Sequence, residues 1–410
     1  MKVLGIESSC DETAASVVED GRRLLSNVVN SQIDIHAQYG GVVPEVAARS
    51  HIEVINPVIN QALSDAGCSW DDIDAIAVTY APGLIGSLLV GTLAARTLAV
   101  LHDKPLYPIH HVEAHVYANF LTEVVDSRLE MVGSSKMPSK QPSFPMLALI
   151  VSGGHTQLVL FQDHGNFALL GQTQDDAVGE AFDKVAKIIG LPYPGGPSIA
   201  KAALDGDPLK YKLPKAKLSC KHKGPHGMHH RMDNKAAASS GLSRTQKYDK
   251  GATEPITQLG ADEVCHEYDF SFSGLKTATL RAVQAETGVD YTFPSHELSA
   301  RLTDTQRVDF AASFQHIAIE TLVDKAEKAF RDYSPASVVI AGGVAANQEL
   351  RRQLSERLPI AVEYAPMELC TDNAAMIATL GYYYAQKNQA TDPYALEVIP
   401  SLSMTKTAWA

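Results

Sequence analysis

The sequence predicts an α/β fold of two related domains flanking a cleft, with two surface insertions. Three observations predict it. Apolar strand-like runs alternate with helical periodicities along the chain. A hairpin with a small polar turn occurs twice, near residue 2 and again near residue 146. Two stretches, 126–143 and 213–264, break the pattern with polar, aperiodic composition.

The first hairpin is KVLGIE, a turn SSCDET, then AASVVED, over residues 2–20. The second is MLALIV, SGGHT, QLVLFQD, over 146–163. Between them, Ile52, Ile55, Val58, Ile59, Ala62 and Leu63 mark a helix face that Gly67 ends. The run IDAIAVTYAPG reads as a buried strand and SLLVGTLAARTLAVLH as a helix. Late in the chain, ASVVIAGGVAAN is a strand leading into a helix near Gln348, and a last helix covers about 373–386. A hairpin opening each half is the plan of the actin and sugar-kinase (RNase H-like) folds. The expected domains are 1–109 with the C-terminal helix at about 373–390, and 110–372 with insertions 126–143 and 213–264.

Composition narrows the function classes. The 410 residues are 45% hydrophobic and 20% charged, ordinary for a globular protein. No apolar run reaches the roughly 20 residues that cross a bilayer, and the N-terminus has no basic stretch before an apolar segment. No membrane association is expected. Five cysteines (10, 68, 220, 265, 370), odd in number and without C-x-x-C spacing, fit a reducing cytoplasm. The net charge is −12, yet residues 210–250 hold eleven Lys or Arg against two Asp or Glu. Such asymmetry reads either as an electrostatic docking arm or as a solvated loop. Cys220, His222, His226, His229 and His230 in the same stretch lack the spacing of a zinc motif.

The strongest local chemistry is HHVEAH, residues 110–115. His111 and His115, four apart, can present two imidazoles from one helix face. Asp372, before the last helix, is the candidate third ligand, with a helix-capping carboxylate as its alternative. Two histidines and one carboxylate suit zinc or ferrous iron with open positions. In a zinc peptidase the Glu next to the first His works on metal-bound water. Here Glu113 is two residues on and turned about 200° away, so a protease is disfavoured. The glycines of SGGHT allow backbone N–H groups of Ser152–Gly154 to approach an anion. Asp183 can accept ribose hydroxyls, and the turn at Gly342–Gly343 before Asn347 suits an adenine lying on bare backbone.

Together these segments resemble the bacterial-type tRNA N6-adenosine threonylcarbamoyltransferase family, formerly classed as glycoproteases. The matching stretches are GIESSCDET, QYGGVVPEVAARSH, APGLIGSLLVG, HHVEAH, VSGGHTQL, DDAVGEAFDKVAK, YPGGP, DFSFSGLKT, AGGVAAN and TDNAAMIA, in the family's order. The resemblance implies that His111, His115 and Asp372 hold one divalent metal. It implies that Ile150, Val151, Ser152, Gly153 and Gly154 hold a threonylcarbamoyl-adenylate, with Asp183, Gly196 and Asn347 contacting its nucleotide. The acceptor is then the tRNA adenosine beside the anticodon, and Glu12 and Asp11 are candidates for proton handling. A smaller paralogue of the same fold and a P-loop ATPase are the implied partners. Ala114 and Ala374 stand where the family often has Gly, and Ala200 where some members have Asp. Two other readings stay open: an ATPase or sugar-kinase-like phosphotransferase, and a non-catalytic tRNA-binding scaffold.

Overall fold

A computed structural model describes residues 1–124, 137–216, 218, 221–222, 263–264 and 267–406. Strands β1 (Lys2–Glu7) and β2 (Glu12–Glu19) form the expected first hairpin, and β3 (Arg23–Ser31) extends it by a third antiparallel strand. Strands β4 (Ala75–Ala81) and β5 (Leu106–His110) run parallel to β1 on its other side. With the short edge strand β6 (Glu123–Val124), the order is β5-β4-β1-β2-β3-β6.

The second sheet repeats the plan. Strands β7 (Met146–Val151), β8 (Thr156–Asp163) and β9 (Asn166–Gln172) are antiparallel neighbours. Strands β10 (Ser337–Ala341) and β11 (Val362–Tyr364) lie parallel on the far side of β7, giving β11-β10-β7-β8-β9. With β6 set aside, order and direction are the same in both sheets, which is the duplicated actin- and sugar-kinase-like fold. Strands β4 and β7 are buried at every position, as strands covered on both faces must be.

Helices α1 (Ile33–Ala37), α2 (Pro44–Asp65) and α3 (Ile85–Leu101) belong to the first half. Ile55, Ile59 and Ala62 of α2 pack with Leu4 and Ile6 on the outer face of the first sheet. Ile52, expected on that buried face, is instead 65% exposed. Helices α4 (His111–Tyr117), α5 (Val178–Ile189), α6 (Gly195–Ala202), α7 (Ser273–Glu286), α8 (Asp304–Tyr333) and α9 (Gln348–Arg357) follow. Phe182 of α5 and Phe310 and Phe314 of α8 pack with Leu147 and Leu149 on the outer face of the second sheet.

The last helix, α10 (Ala374–Lys387), lies with α4 in a central layer. There Met376, Ile377 and Leu380 join Val3 and Ala77 of one sheet and Ala148 and Ile150 of the other. Close approach makes this possible. A Cβ at Gly5 would meet Ala374 O at 2.3 Å and Ala378 N at 2.7 Å, and one at Gly381 would meet the Ala77 Cβ at 2.4 Å. No side chain larger than hydrogen fits either position.

The chain divides into a main unit, Met1–Ala216 with Tyr268–Ala410, and a second unit, Lys217–Glu267. At the start of the expected second insertion, Leu213 is buried in the main core and the Lys215 ammonium binds Glu320 and Asp324, each at 2.8 Å. Within the second unit, Lys221–His222 pairs antiparallel with Glu263–Val264. Most of the basic segment 210–250, with Cys220, His226, His229 and His230, lies outside the described residues. So does 126–136 of the first insertion.

Candidate functional site

Strand β5 ends at His110 and α4 starts at His111, so the first imidazole sits on the first helical turn and His115 stands one turn on. Asp372 reaches the pair because Asn373, rather than Asp372, caps α10. The Asn373 side chain accepts from Met376 N at 3.1 Å and donates to Leu369 O and Thr371 O. The capping alternative for Asp372 is thereby excluded, and its carboxylate is left for other work.

Asp372 Oδ1 lies 3.6 Å from His111 Nε2 and 3.3 Å from His115 Nε2. Ligand atoms about 2.1 Å from one ion at tetrahedral angles would stand roughly 3.4 Å apart. All three donor atoms fall within 4.8 Å of one another. Neither ring nitrogen of buried His115 has a hydrogen-bond partner, and a cation at Nε2 would satisfy one of the two. These residues fit a metal.

His111 Nδ1 faces Glu7 Oε2 at 3.1 Å, with Ser9 Oγ also at 3.1 Å. This arrangement fixes the ring and turns Nε2 toward Asp372. Glu7 in turn accepts from Ser9 N and the Thr79 hydroxyl. Burial alone would keep His111 neutral, but Asp372 and Glu7 push it up to about 9. Against its own burial, Asp372 is held well below the usual carboxylate range by the two histidines. A site that draws positive charge this strongly is suited to a cation. Glu7 was not among the sequence candidates. Its only signal was an acidic residue closing an otherwise apolar strand.

Glu113 points elsewhere, as its spacing required. It is fully buried and accepts from the Tyr384 hydroxyl at 2.8 Å. Burial raises the Glu12 carboxyl above the usual carboxylate range, aided by Asp372 and Asp11. Burial and the neighbouring histidines push His155 down to about 3.

His111 and Asp372 stand in a cleft of about 1600 Å³ that also receives Asp11, Glu12, Ser152, Gly153, Gly154, Asp183, Gly196 and Asn347. The structure does not bring Ile150 and Val151 there. Both are fully buried in β7 and set the strand that carries the loop. In that loop Ser152 N donates to His155 O at 2.8 Å. Gly153 and Gly154 are exposed, and a Cβ at either would meet nothing within 4 Å. An incoming anion therefore meets the two glycines rather than the Ser152 amide. Asp183 lines the cleft, its Oδ1 accepts from Gly195 N at 2.6 Å, and burial raises its pKa. The Asn347 side chain caps α9 through Leu350 N at 3.1 Å and donates to Gln315 at 2.9 Å. Its own part is to shape the turn where Gly342, at φ +89°, passes Val151.

Fold and site define a member of the actin and sugar-kinase superfold with a group of two imidazoles and a carboxylate at its cleft, unlike the all-oxygen shell that Mg²⁺ prefers. The profile of the tRNA N6-adenosine threonylcarbamoyltransferase family matches residues 23–379. The enzyme of that name from Thermomicrobium roseum is 44% identical over 399 residues, covering 96% of this chain and 94% of its own. That from Symbiobacterium thermophilum is 44% identical over 405 residues, covering 98% and 96%. Among solved structures, a ROK hexokinase from Thermus thermophilus aligns over 94% of this chain and 100% of its own at 15% identity, with a TM-score of 0.39. The chain belongs to the tRNA N6-adenosine threonylcarbamoyltransferase family. It is a transferase that forms threonylcarbamoyl-adenosine (t6A) in tRNA.

Proposed function

We propose that the acyl donor is threonylcarbamoyl-adenylate bound in the cleft, and that one divalent metal at His111, His115 and Asp372 assists the transfer. The observation that carries this reading is the single cavity shared by His111, Asp372, the Gly153–Gly154 turn, Asp183 and Asn347. Two histidines and a carboxylate with open positions favour Fe(II), with Zn(II) as the second choice. When bound, the metal supplies a Lewis acid for the carbamoyl oxygen.

The chain's own residues do the rest. Adenine N6 is a poor nucleophile because its lone pair is delocalised, so the donor must be a mixed anhydride. Nitrogen N6 bonds to the carbamoyl carbon, the carbon–oxygen bond to the phosphate breaks, and AMP leaves with that electron pair. The N6 proton passes to water. The N–H groups of Gly153 and Gly154 face the charge growing on AMP. Asp183 takes the ribose hydroxyls, Gly196 leaves room beside them, and the turn before Asn347 carries the adenine. Glu12 and Asp11 flank the reacting end. The acceptor is the unpaired adenosine next to the anticodon, a base that can be splayed from its loop.

An apolar stripe supports a helical partner. Ile85, Leu89 and Leu93, spaced by four on α3, are 60%, 51% and 63% exposed, and Ile52 of the adjoining α2 is 65% exposed. A smaller paralogue of the same fold is the proposed occupant, while the P-loop ATPase rests on the family resemblance. No described helix is long and apolar enough to cross a membrane. A tRNA substrate places the work in the cytoplasm.

The test mixes purified protein, threonylcarbamoyl-adenylate and tRNA. Modified adenosine and AMP should appear together, disappear with chelator, and return with Fe(II). ATP hydrolysis without modification would favour the phosphotransferase reading. Tight tRNA binding without modification would favour the scaffold.

A further inference from the structure

Two residues lining the cleft carry benzene rings, Phe182 and Tyr193. Phe182 is 1% exposed and packs edge-on against Phe314 at 5.0 Å, so it belongs to the core. Tyr193 is only half-buried, in the connection between α5 and α6. Among the described residues its ring stacks on no other aromatic group, and its hydroxyl has no hydrogen-bond partner. A tyrosine pairs an apolar face with a polar tip and usually engages both. Here both are idle, in the wall of the cavity where the transfer takes place.

The surroundings decide what can lie on this ring. Burial pushes the Tyr193 hydroxyl up to about 12, and the charges of Asp11 and then Asp183 add to the rise. Asp183 belongs to α5, whereas Asp11 belongs to the first hairpin turn, and both line the same cleft. The phenol therefore stands within reach of carboxyls from both halves of the fold. Carboxylates repel phosphate, so the part of a nucleotide that suits this place is the neutral base. A base presents a flat face that stacks well on an aromatic side chain. The donor's adenine already has a seat at the turn before Asn347. The acceptor's adenine has none.

We propose that the ring of Tyr193 is the platform on which the acceptor adenine stacks after leaving the anticodon loop. The proposal rests on the transfer reaction above and names the residue that seats its second substrate. Tyr193, Gly153, Gly154 and Asp183 line one cavity, so a base on this ring shares the space of the donor, as the attack by N6 requires. Taking a base out of its loop forfeits the stacking it had there, and a ring in the cleft replaces it.

The experiment compares two labelled anticodon stem-loop RNAs by anisotropy against the full chain. One carries adenosine at the acceptor position and the other a ribose without a base. Wild type should bind the adenosine form about tenfold more tightly, the size expected of one base on one aromatic ring. Tyr193→Phe keeps the ring and should keep the preference. Tyr193→Leu and Tyr193→Met lack a flat face and should bind both RNAs alike, with metal content and adenylate affinity as in wild type. A general structural defect would weaken both RNAs together and leave their ratio intact. Equal binding of the two RNAs by wild type overturns the proposal, as does a preference that survives in both non-aromatic variants. A fall in adenylate affinity in those variants gives the ring to the donor and overturns it too. Transfer to the adenosine stem-loop is measured alongside. Transfer by wild type without a ring-dependent preference sinks the Tyr193 assignment alone, whereas no transfer sinks the proposed function and this inference with it.

Discussion

Glu7 Oε2 lies 3.1 Å from His111 Nδ1, on the ring edge opposite Asp372. A carboxylate there selects the tautomer that leaves Nε2 free and makes it a stronger ligand. Glu7→Gln keeps shape and hydrogen bonding but removes the charge. Metal affinity, measured by chelator competition, should fall about 10- to 100-fold. Unchanged affinity would make Glu7 a purely structural residue.

His115→Ala removes one of the three proposed ligands. Metal analysis should fall from one ion per chain to near zero. Wild type should gain about 2.7 kcal/mol of stability at a hundredfold excess of metal over its Kd, and the variant none. The side chain is only 2% exposed, so the metal-free variant should also melt somewhat below metal-free wild type. Metal-induced stabilisation that persists in His115→Ala would remove this residue from the ligand set.

Gly5→Ala tests the helix that delivers Asp372. The new methyl would press on Ala374 O and Ala378 N, forcing α10 off β1. Overpacking of this kind costs about 1–3 kcal/mol. Thermal unfolding should shift down and metal affinity should weaken with it, although residue 5 touches no ligand. Lower stability with full metal affinity would separate the helix position from the site.

Glu113→Gln should leave transfer within about twofold, a barrier change below about 0.5 kcal/mol. Its carboxylate is held by Tyr384 rather than aimed at Asp372. Peptide hydrolysis should be absent in both proteins. Metal-dependent proteolysis lost in the variant would restore the peptidase reading.

The basic segment is tested by a deletion that spares the core. Tyr211 stacks on Phe310 at 3.6 Å and Leu213 is buried, so the cut belongs after Ala216. Removing 217–250 takes away eight Lys or Arg and two Asp or Glu. If these cations bind phosphates, tRNA affinity should drop and its logarithmic salt slope should flatten by about 0.7–0.9 per lost contact. Parallel slopes would identify a solvated loop.

Much of this architecture was legible in the sequence, because hairpins and helix faces are local patterns. The paired hairpins announced the duplication, and the i, i+4 histidines announced the cluster that Asp372 joins. The third strands β3 and β9 were not announced, since they are half exposed and lack a clean alternation. Glu7 escaped for another reason. Its contact with His111 spans 104 residues, and nothing local distinguishes it from an ordinary strand-ending acid. Ile52 misled because helical periodicity shows which residues share a face without showing which face is covered. Asn373 and Asp372 are both good capping residues, and only the folded chain shows which one caps.

The place of α10 in the central layer has a consequence for how the chain is made. Ala374 must seat against Gly5, its partner from the very start of the chain. At a synthesis rate of about 5–20 residues per second, roughly 20–70 s pass between the emergence of the two. During that interval β1 waits on the ribosome with its inner groove unfilled, and His111 and His115 wait without their carboxylate. A nascent chain that collapses early would seal the groove before the helix arrives, and Asp372 is the last of the three candidate ligands to be made.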